Sequence, residues 1–156
     1  MSERILMPLD GSKMGEAALS YVNELIARLA PGETVEITLF HVVTAVRHKI
    51  PYQGGGMVSI PYNDEELSGF TDQARAYLET VSKQLENGKI NVVCEVAVNE
   101  NPAEAIIEAE KKFNSDLVAM STHGRSGISR FTVGSVAEKV MRGGGAPVLM
   151  VRAEDK

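Results

Sequence analysis

The chain has 156 residues, of which 44% are apolar, 24% charged and 5% aromatic, and its net charge is −5. This length predicts one domain, residues 1–156, with a core of its own, and the acidic balance argues against a nucleic-acid partner. The single Cys94 excludes an internal disulfide, and the first twelve residues lack the apolar core of a signal peptide. We therefore expect a soluble, cytoplasmic protein without membrane attachment or a structural metal.

Short strand-like runs alternate with longer helical patterns along the first half of the chain. The apolar run Arg4–Asp10 predicts a first strand, and apolar residues over Met14–Leu29 recur at helical spacing. The β-branched run Thr34–Val43 predicts a second strand. Residues 45–63 are rich in glycine and proline, which predicts a long, exposed and mobile loop.

The second half continues the alternation, with helices over Leu67–Leu85, from Pro102 and over Ser135–Met141, and strands over Ile90–Val98, Asp116–Met120 and Ala146–Val151. This order favours an α/β fold, a doubly wound five-stranded parallel sheet with helices on both faces. Ligands of such sheets bind beyond the carboxyl ends of the strands, where the winding reverses. The loops after the first and fourth strands are therefore the candidate site.

The segment Ser121–Ser135 (STHGRSGISRFTVGS) joins the fourth strand to the fourth helix. Its glycines let backbone amides approach an anion closely, and a helix N-terminus adds aligned donors with partial positive charge. No acidic residue occurs over Leu117–Ala137, although the chain carries 21 of them, whereas His123, Arg125 and Arg130 lie in this window. These features favour phosphate binding.

A turn followed by a helix cap explains the same segment without a ligand. Ser135 and Glu138 stand at the Ser-x-x-Glu spacing of a capping box, which stabilises a helix start by itself. The segment has neither the Gly-Lys-Ser/Thr ending of a Walker A loop nor the Gly-x-Gly-x-x-Gly of a dinucleotide fold. Asp10 is open in the same way, either as a site residue or as an acceptor that starts the following helix.

Three segments are recognisable, namely ILMPLDGS at 5–12, NPAEAIIEAEKKFNSDLVAMSTHGRSG at 101–127 and GSVAEKVMRGGGAPVLMVR at 134–152. They resemble the universal stress protein family, whose nucleotide-binding members carry Gly-x-x-Gly, nine residues and Gly-Ser/Thr. Gly124 and Gly134 match this spacing, but Ser121 replaces the first motif glycine. Serine fits there if only close packing is required, and its hydroxyl is able to face a ligand. It strains the loop if positive φ is required.

The resemblance implies a Rossmann-like fold of the adenine nucleotide alpha hydrolase type, a homodimer formed through Ala146–Val151, and bound ATP or AMP that Mg²⁺ can accompany. Asp10 would accept from the ribose hydroxyls, and the Val42 backbone would bond to the adenine edge. The implied nucleotide site consists of Pro8, Leu9, Asp10 and Val42, the loop residues Ser121, Thr122, His123, Arg125 and Ser126, and the phosphate-contacting Gly124, Gly127, Gly134 and Ser135 with the adjacent Val136.

We therefore expect a homodimeric stress-response regulator whose bound adenine nucleotide changes its choice of protein partner. An efficient enzyme is not expected, because no nucleophile–base pair is evident. Two alternatives stay open. One is a nucleotide-free dimer that acts through protein contacts, which the Ser121 replacement motivates. The other is a slow ATPase or phosphotransferase that depends on Asp10 or His123.

Overall fold

The computed structural model describes residues 3–29, 32–85, 87–122 and 134–153. In these ranges the strands are β1 (Glu3–Pro8), β2 (Val35–Val43), β3 (Arg47–Pro51), β4 (Met57–Pro61), β5 (Ile90–Val98), β6 (Leu117–Thr122) and β7 (Val148–Arg152). The helices are α1 (Ala17–Ala27), α2 (Asp64–Ser82), α3 (Pro102–Lys112) and α4 (Ser135–Gly143). None of the helices described is both long and apolar enough to cross a membrane.

The main sheet has five parallel strands in the order β5-β2-β1-β6-β7. The chain winds from β1 outward to β2 and β5, and then returns to the other side of β1 with β6 and β7. The predicted doubly wound α/β sheet is therefore confirmed. The winding reverses between β1 and β6, where Ile5 pairs with Leu117 and Leu6 with Val118.

Helices cover both faces of this sheet. Successive residues of a buried strand point to opposite faces, so neighbouring residues contribute to different cores. Met7 belongs to the core beneath α1 and α2, whereas its neighbour Leu6 belongs to the core beneath α3 and α4. The first core is completed by Leu19, Ile37, Leu39 and Leu78, and the second by Ile106, Val118 and Val140. All of these side chains are buried.

The prediction of an irregular loop at residues 45–63 is wrong in part. β3 and β4 form an antiparallel hairpin in which Ile50 pairs with Val58. Gly55 and Gly56 turn the chain with positive φ values of 84° and 113°, a conformation that favours glycine, and the apolar residues on either side then pair as strands. The predicted exposure of this segment agrees with the structure, since most of its residues are exposed.

Candidate functional site

A cavity of about 610 Å³ opens at the carboxyl ends of β1, β2 and β6 and at the first turn of α4. Parallel strands end at one edge of the sheet, so the segments that follow them meet there. Every predicted site residue within the described ranges lines this cavity: Pro8, Leu9, Asp10, Val42, Ser121, Thr122, Gly134, Ser135 and Val136. The other five predicted residues, His123, Gly124, Arg125, Ser126 and Gly127, lie outside the described residues.

The loop after β1 is organised around the carboxylate of Asp10. Asp10 Oδ1 accepts from the backbone amide of Ser12 at 2.9 Å and from its hydroxyl at 2.6 Å. Ser12 Oγ in turn accepts from the Gly15 amide at 2.9 Å. A Cβ at Gly15 would collide with Asp10 Oδ1, so any larger residue at position 15 would displace this carboxylate. These local bonds delay the start of α1 from the predicted Met14 to Ala17.

Ser121 lies in the regular part of β6, opposite Val151, and of the two alternatives left open for it, the one that requires a positive φ does not apply. Among the described non-glycine residues, Asn114 alone has a positive φ. The Ser121 hydroxyl donates to the Gly15 carbonyl at 2.8 Å and accepts from the Ala18 amide at 2.9 Å. It therefore contacts the start of α1, a role that the sequence did not suggest.

The first turn of α4 forms another wall, with Ser135, Val136 and Ala137 lining the cavity. The N-cap is Gly134, at φ 87°, and no side-chain cap is found here among the described residues. The capping box read from Ser135 and Glu138 is therefore wrong: Ser135 is already helical, and Glu138 instead pairs with Arg142 at 2.9 Å. The amides of a first helical turn have no acceptor within the helix and carry partial positive charge, which suits an anion.

Helix α2 supplies a wall that the sequence analysis missed, consisting of Phe70, Gln73, Ala74 and Tyr77. The Tyr77 hydroxyl donates to Glu16 Oε1 at 3.1 Å, and the ring meets His41 edge-on at a centroid distance of 6.2 Å. Burial, and then the charge of Glu16, raise the pKa of Tyr77 well above its ordinary value of 10. The only sign of this wall in the sequence was the helical spacing of Phe70, Ala74 and Tyr77. That spacing is typical of any helix face that packs on a core, so it does not indicate a ligand site.

The chemistry of the cavity follows from its walls. Leu9, Phe40, Ile106 and Met120 are buried apolar residues that suit a flat apolar ring. The exposed Asp10 carboxylate is an acceptor, and the start of α4 offers amide donors. Within the described ranges, no three His, Cys, Asp or Glu side chains come together as a metal site. The arrangement suits a small molecule that combines a ring, hydroxyl groups and an anionic group.

Fold and cavity together define a doubly wound α/β protein with an open cavity where its winding reverses. Comparison with known protein families then identifies the family within this class of α/β proteins. The chain belongs to the universal stress protein family, whose family model matches residues 1–152.

Individual relatives span nearly the whole chain. Universal stress protein MJ0531 of Methanocaldococcus jannaschii is 30% identical over 155 residues, covering 99% of this chain and 84% of its own. Universal stress protein MJ0577 of the same organism is 26% identical over 163 residues, covering 99% and 98%. A solved structure of MJ0577 matches with a TM-score of 0.73 at 25% identity, covering 100% of this chain and 99% of the other.

A further fold neighbour is a universal stress protein whose structure was solved in complex with cAMP. It matches with a TM-score of 0.60 at 18% identity and covers 98% of both chains. At this identity the likeness shows the fold alone.

Proposed function

We propose that this protein binds an adenine nucleotide, ATP or AMP, in the cavity between β1, β6 and α4, and acts as a homodimeric regulator in the stress response. The single observation that carries the proposal is the meeting of Asp10, Val42 and the first turn of α4 around one cavity of about 610 Å³. These groups lie far apart in the sequence, and each suits a different part of a nucleotide.

The adenine and ribose are assigned to the β1 and β2 side. The adenine edge would bond to the backbone of Val42 and pack against Pro8 and Leu9. The ribose hydroxyls would donate to Asp10, whose carboxylate is held in place through Ser12. A carboxylate that accepts from neighbouring hydroxyls is a common way to select a ribose.

The phosphates are assigned to the start of α4. The amides at the start of this helix belong to Gly134, Ser135 and Val136. Because Gly134 has no side chain, an anion can approach its backbone closely. Family resemblance extends this subsite to Gly124, Gly127 and the segment Thr122–Ser126, of which 123–127 lie outside the described residues. Mg²⁺ enters the proposal only as a companion of the phosphates, whose oxygens are the hard ligands it prefers.

The homodimer is assigned to the edge of the main sheet. Among the described strands β7 pairs with β6 alone, so its other side is an open edge. Its residues Val148–Val151 are apolar and only half-buried, and an apolar edge of this kind needs a cover. We propose that 146–151 of two copies pair. Sedimentation equilibrium should then give twice the chain mass, and a monomer at every concentration tested would exclude this dimer.

Calorimetric titration with ATP tests the proposed ligand. We expect saturable binding with a Kd in the micromolar range, about −8 kcal/mol. Asp10→Asn should weaken binding about tenfold, because the charged acceptor is replaced by a neutral amide oxygen that accepts a weaker hydrogen bond. Asp72→Asn makes the same charge change on an exposed face of α2 and should bind ATP like the wild type. Absence of saturation at millimolar ATP would remove the proposal and favour a nucleotide-free protein-binding dimer.

A further inference from the structure

We propose that Ser121 is a positioning residue of the cavity, whose hydroxyl holds the start of α1 and, through Gly15 and Ser12, sets the orientation of the Asp10 carboxylate. The inference rests on the proposed function in one respect, namely that Asp10 accepts from a ribose. Its structural part, the attachment of α1 to β6, is independent of any ligand.

The two contacts of the Ser121 hydroxyl use it both as donor and as acceptor. It donates to the carbonyl of Gly15 at 2.8 Å and accepts from the amide of Ala18 at 2.9 Å. Ser121 is more than 100 positions away from both residues in the sequence, so these bonds tie β6 to the loop after β1. Both bonds are partly buried, which limits the competition from water.

The contact with Ala18 replaces a helix cap that α1 does not supply from its own sequence. The N-cap residue of α1 is Glu16, whose side chain makes no capping hydrogen bond. The first amides of a helix have no acceptor within the helix, and an oxygen from elsewhere can satisfy one of them. Ser121 Oγ, which lies in β6, is such an oxygen and accepts from the Ala18 amide.

The contact with Gly15 continues to Asp10 by a short chain of bonds. The Gly15 amide donates to Ser12 Oγ at 2.9 Å, and the Ser12 hydroxyl donates to Asp10 Oδ1 at 2.6 Å. There is no space for a Cβ at Gly15 between these groups. Because these bonds connect Gly15 to Asp10 through Ser12, a shift of Gly15 would be passed on to the Asp10 carboxylate.

This arrangement gives the departure from the family motif a physical meaning. A glycine at position 121 has no hydroxyl, so the Ala18 amide and the Gly15 carbonyl would lose a partner that the present chain provides. The serine therefore stabilises the conformation of the loop after β1. It does so from β6, the strand that pairs with β1 where the winding reverses.

The test compares Ser121→Ala, Ser121→Gly and Ser121→Thr, with Ser82→Ala as a matched control whose hydroxyl donates to the Glu79 carbonyl of its own helix. Two quantities are measured. The first is hydrogen exchange of the Ala18 amide in the nucleotide-free protein. The second is the ratio of the Kd values for 2′,3′-dideoxy-ATP and ATP, since the dideoxy compound lacks the hydroxyls assigned to Asp10.

We expect the alanine and glycine variants to exchange the Ala18 amide about tenfold faster than the wild type. The wild type should bind ATP about tenfold more tightly than dideoxy-ATP. In both variants this ratio should fall toward one, while the Kd for dideoxy-ATP stays within about twofold. Ser121→Thr keeps the hydroxyl and should restore the ratio, and Ser82→Ala should change neither quantity.

An unchanged Ala18 exchange rate in both the alanine and glycine variants would overturn the attachment of α1. An equal loss of affinity for the two nucleotides would overturn the link to Asp10, because a general loosening of the site affects both alike. If the wild type binds no ATP, the proposed function fails, and the Ala18 exchange rate still decides the structural part of the inference.

Discussion

The hydroxyl of Tyr77 donates to Glu16 Oε1 across 3.1 Å, and this bond joins α2 to the segment between β1 and α1 at the wall of the cavity. Glu16 is largely buried, with 13% of its side chain exposed, and it also pairs with Lys13 at 3.3 Å. The partly buried phenol beside a carboxylate strongly favours its protonated form, so burial and the Glu16 charge raise the pKa of Tyr77.

The first prediction concerns the alkaline titration of this phenol. The folded protein should keep Tyr77 protonated as the pH rises past 10, the ordinary value. Because the unfolded chain releases that proton earlier, this contribution to stability is present below pH 10 and is lost above it. An ultraviolet titration of phenolate should show that Tyr77→Phe lacks a late step. Tyr52→Phe, at a position that is 64% exposed, is the control and should keep the late step. Loss of an early step in Tyr77→Phe would contradict this prediction.

The second prediction concerns acid stability at the start of α2. Glu66 Oε2 accepts from the Asn63 amide at 2.9 Å and Asn63 Oδ1 accepts from the Glu66 amide at 2.8 Å, which forms a capping box. The bond from the Asn63 amide lowers the pKa of Glu66 from 4.5, and His48 contributes further. A lowered folded pKa gives stability that is present above pH 4.5 and is lost as the pH falls through the folded value.

Glu66→Gln should therefore lose stability relative to the wild type at neutral pH, and the difference should shrink in acid. Urea unfolding over a range of pH values measures this difference. Glu65→Gln changes an exposed carboxylate in the same turn and serves as the control. A difference between wild type and Glu66→Gln that grows as the pH falls below 4.5 would contradict the sign of the effect.

The third prediction concerns the buried carboxylate of Glu110 in α3. Its Oε1 accepts from the amides of Gly145 at 2.7 Å and Ala146 at 2.8 Å and so holds the turn between α4 and β7. Glu110→Ala should lower the free energy of unfolding by about 3 kcal/mol, because two partly buried hydrogen bonds from backbone amides lose their acceptor. Glu108→Ala, on an exposed position of the same helix, should change it by less than about 0.5 kcal/mol. Equal effects in urea unfolding would show that the Glu110 bonds contribute nothing specific.

The fourth prediction compares two glycines. A Cβ at Gly15 would collide with Asp10 Oδ1, whereas a Cβ at Gly69 in α2 meets nothing within 4 Å. Gly15→Ala should therefore destabilise the protein and weaken ATP binding, because the Asp10 carboxylate is displaced. Gly69→Ala should stabilise it by about 0.5–1 kcal/mol through the higher helix propensity of alanine. Thermal unfolding and calorimetry measure both effects, and wild-type ATP affinity in Gly15→Ala would separate this loop from the ligand.

The sheet and the position of the cavity were predictable because both follow from the alternation of strands and helices. Parallel connections of one hand leave few topologies, and they bring the segments after β1 and β6 together. Topology thus gave the two loops, and the family resemblance then implied that Asp10 and Ser135, distant in sequence, belong to one site. Apolar periodicity also gave the strand Ile90–Val98 with its observed bounds.

Other features depend on tertiary contacts that a local pattern does not contain. The sequence identified Tyr77 and Phe70 only as inward-facing residues of a helix. Their place at the cavity depends on how α2 crosses the sheet, which a local pattern does not contain. The Ser121 contact with Ala18 joins residues 103 positions apart, so no spacing rule reveals it. The hairpin of β3 and β4 was missed because three consecutive glycines and two prolines suggested an irregular loop.

The most direct test of the account is a backbone amide NMR titration of the wild-type protein with ATP. We predict saturable shifts confined to the residues around the cavity and the proposed phosphate segment, namely 8–15, 40–45, 70–77, 102–106, 120–127 and 134–137, with the largest changes at the first turn of α4. Shifts that saturate elsewhere, or no saturable shifts at millimolar ATP, would contradict the assignment of this cavity to an adenine nucleotide.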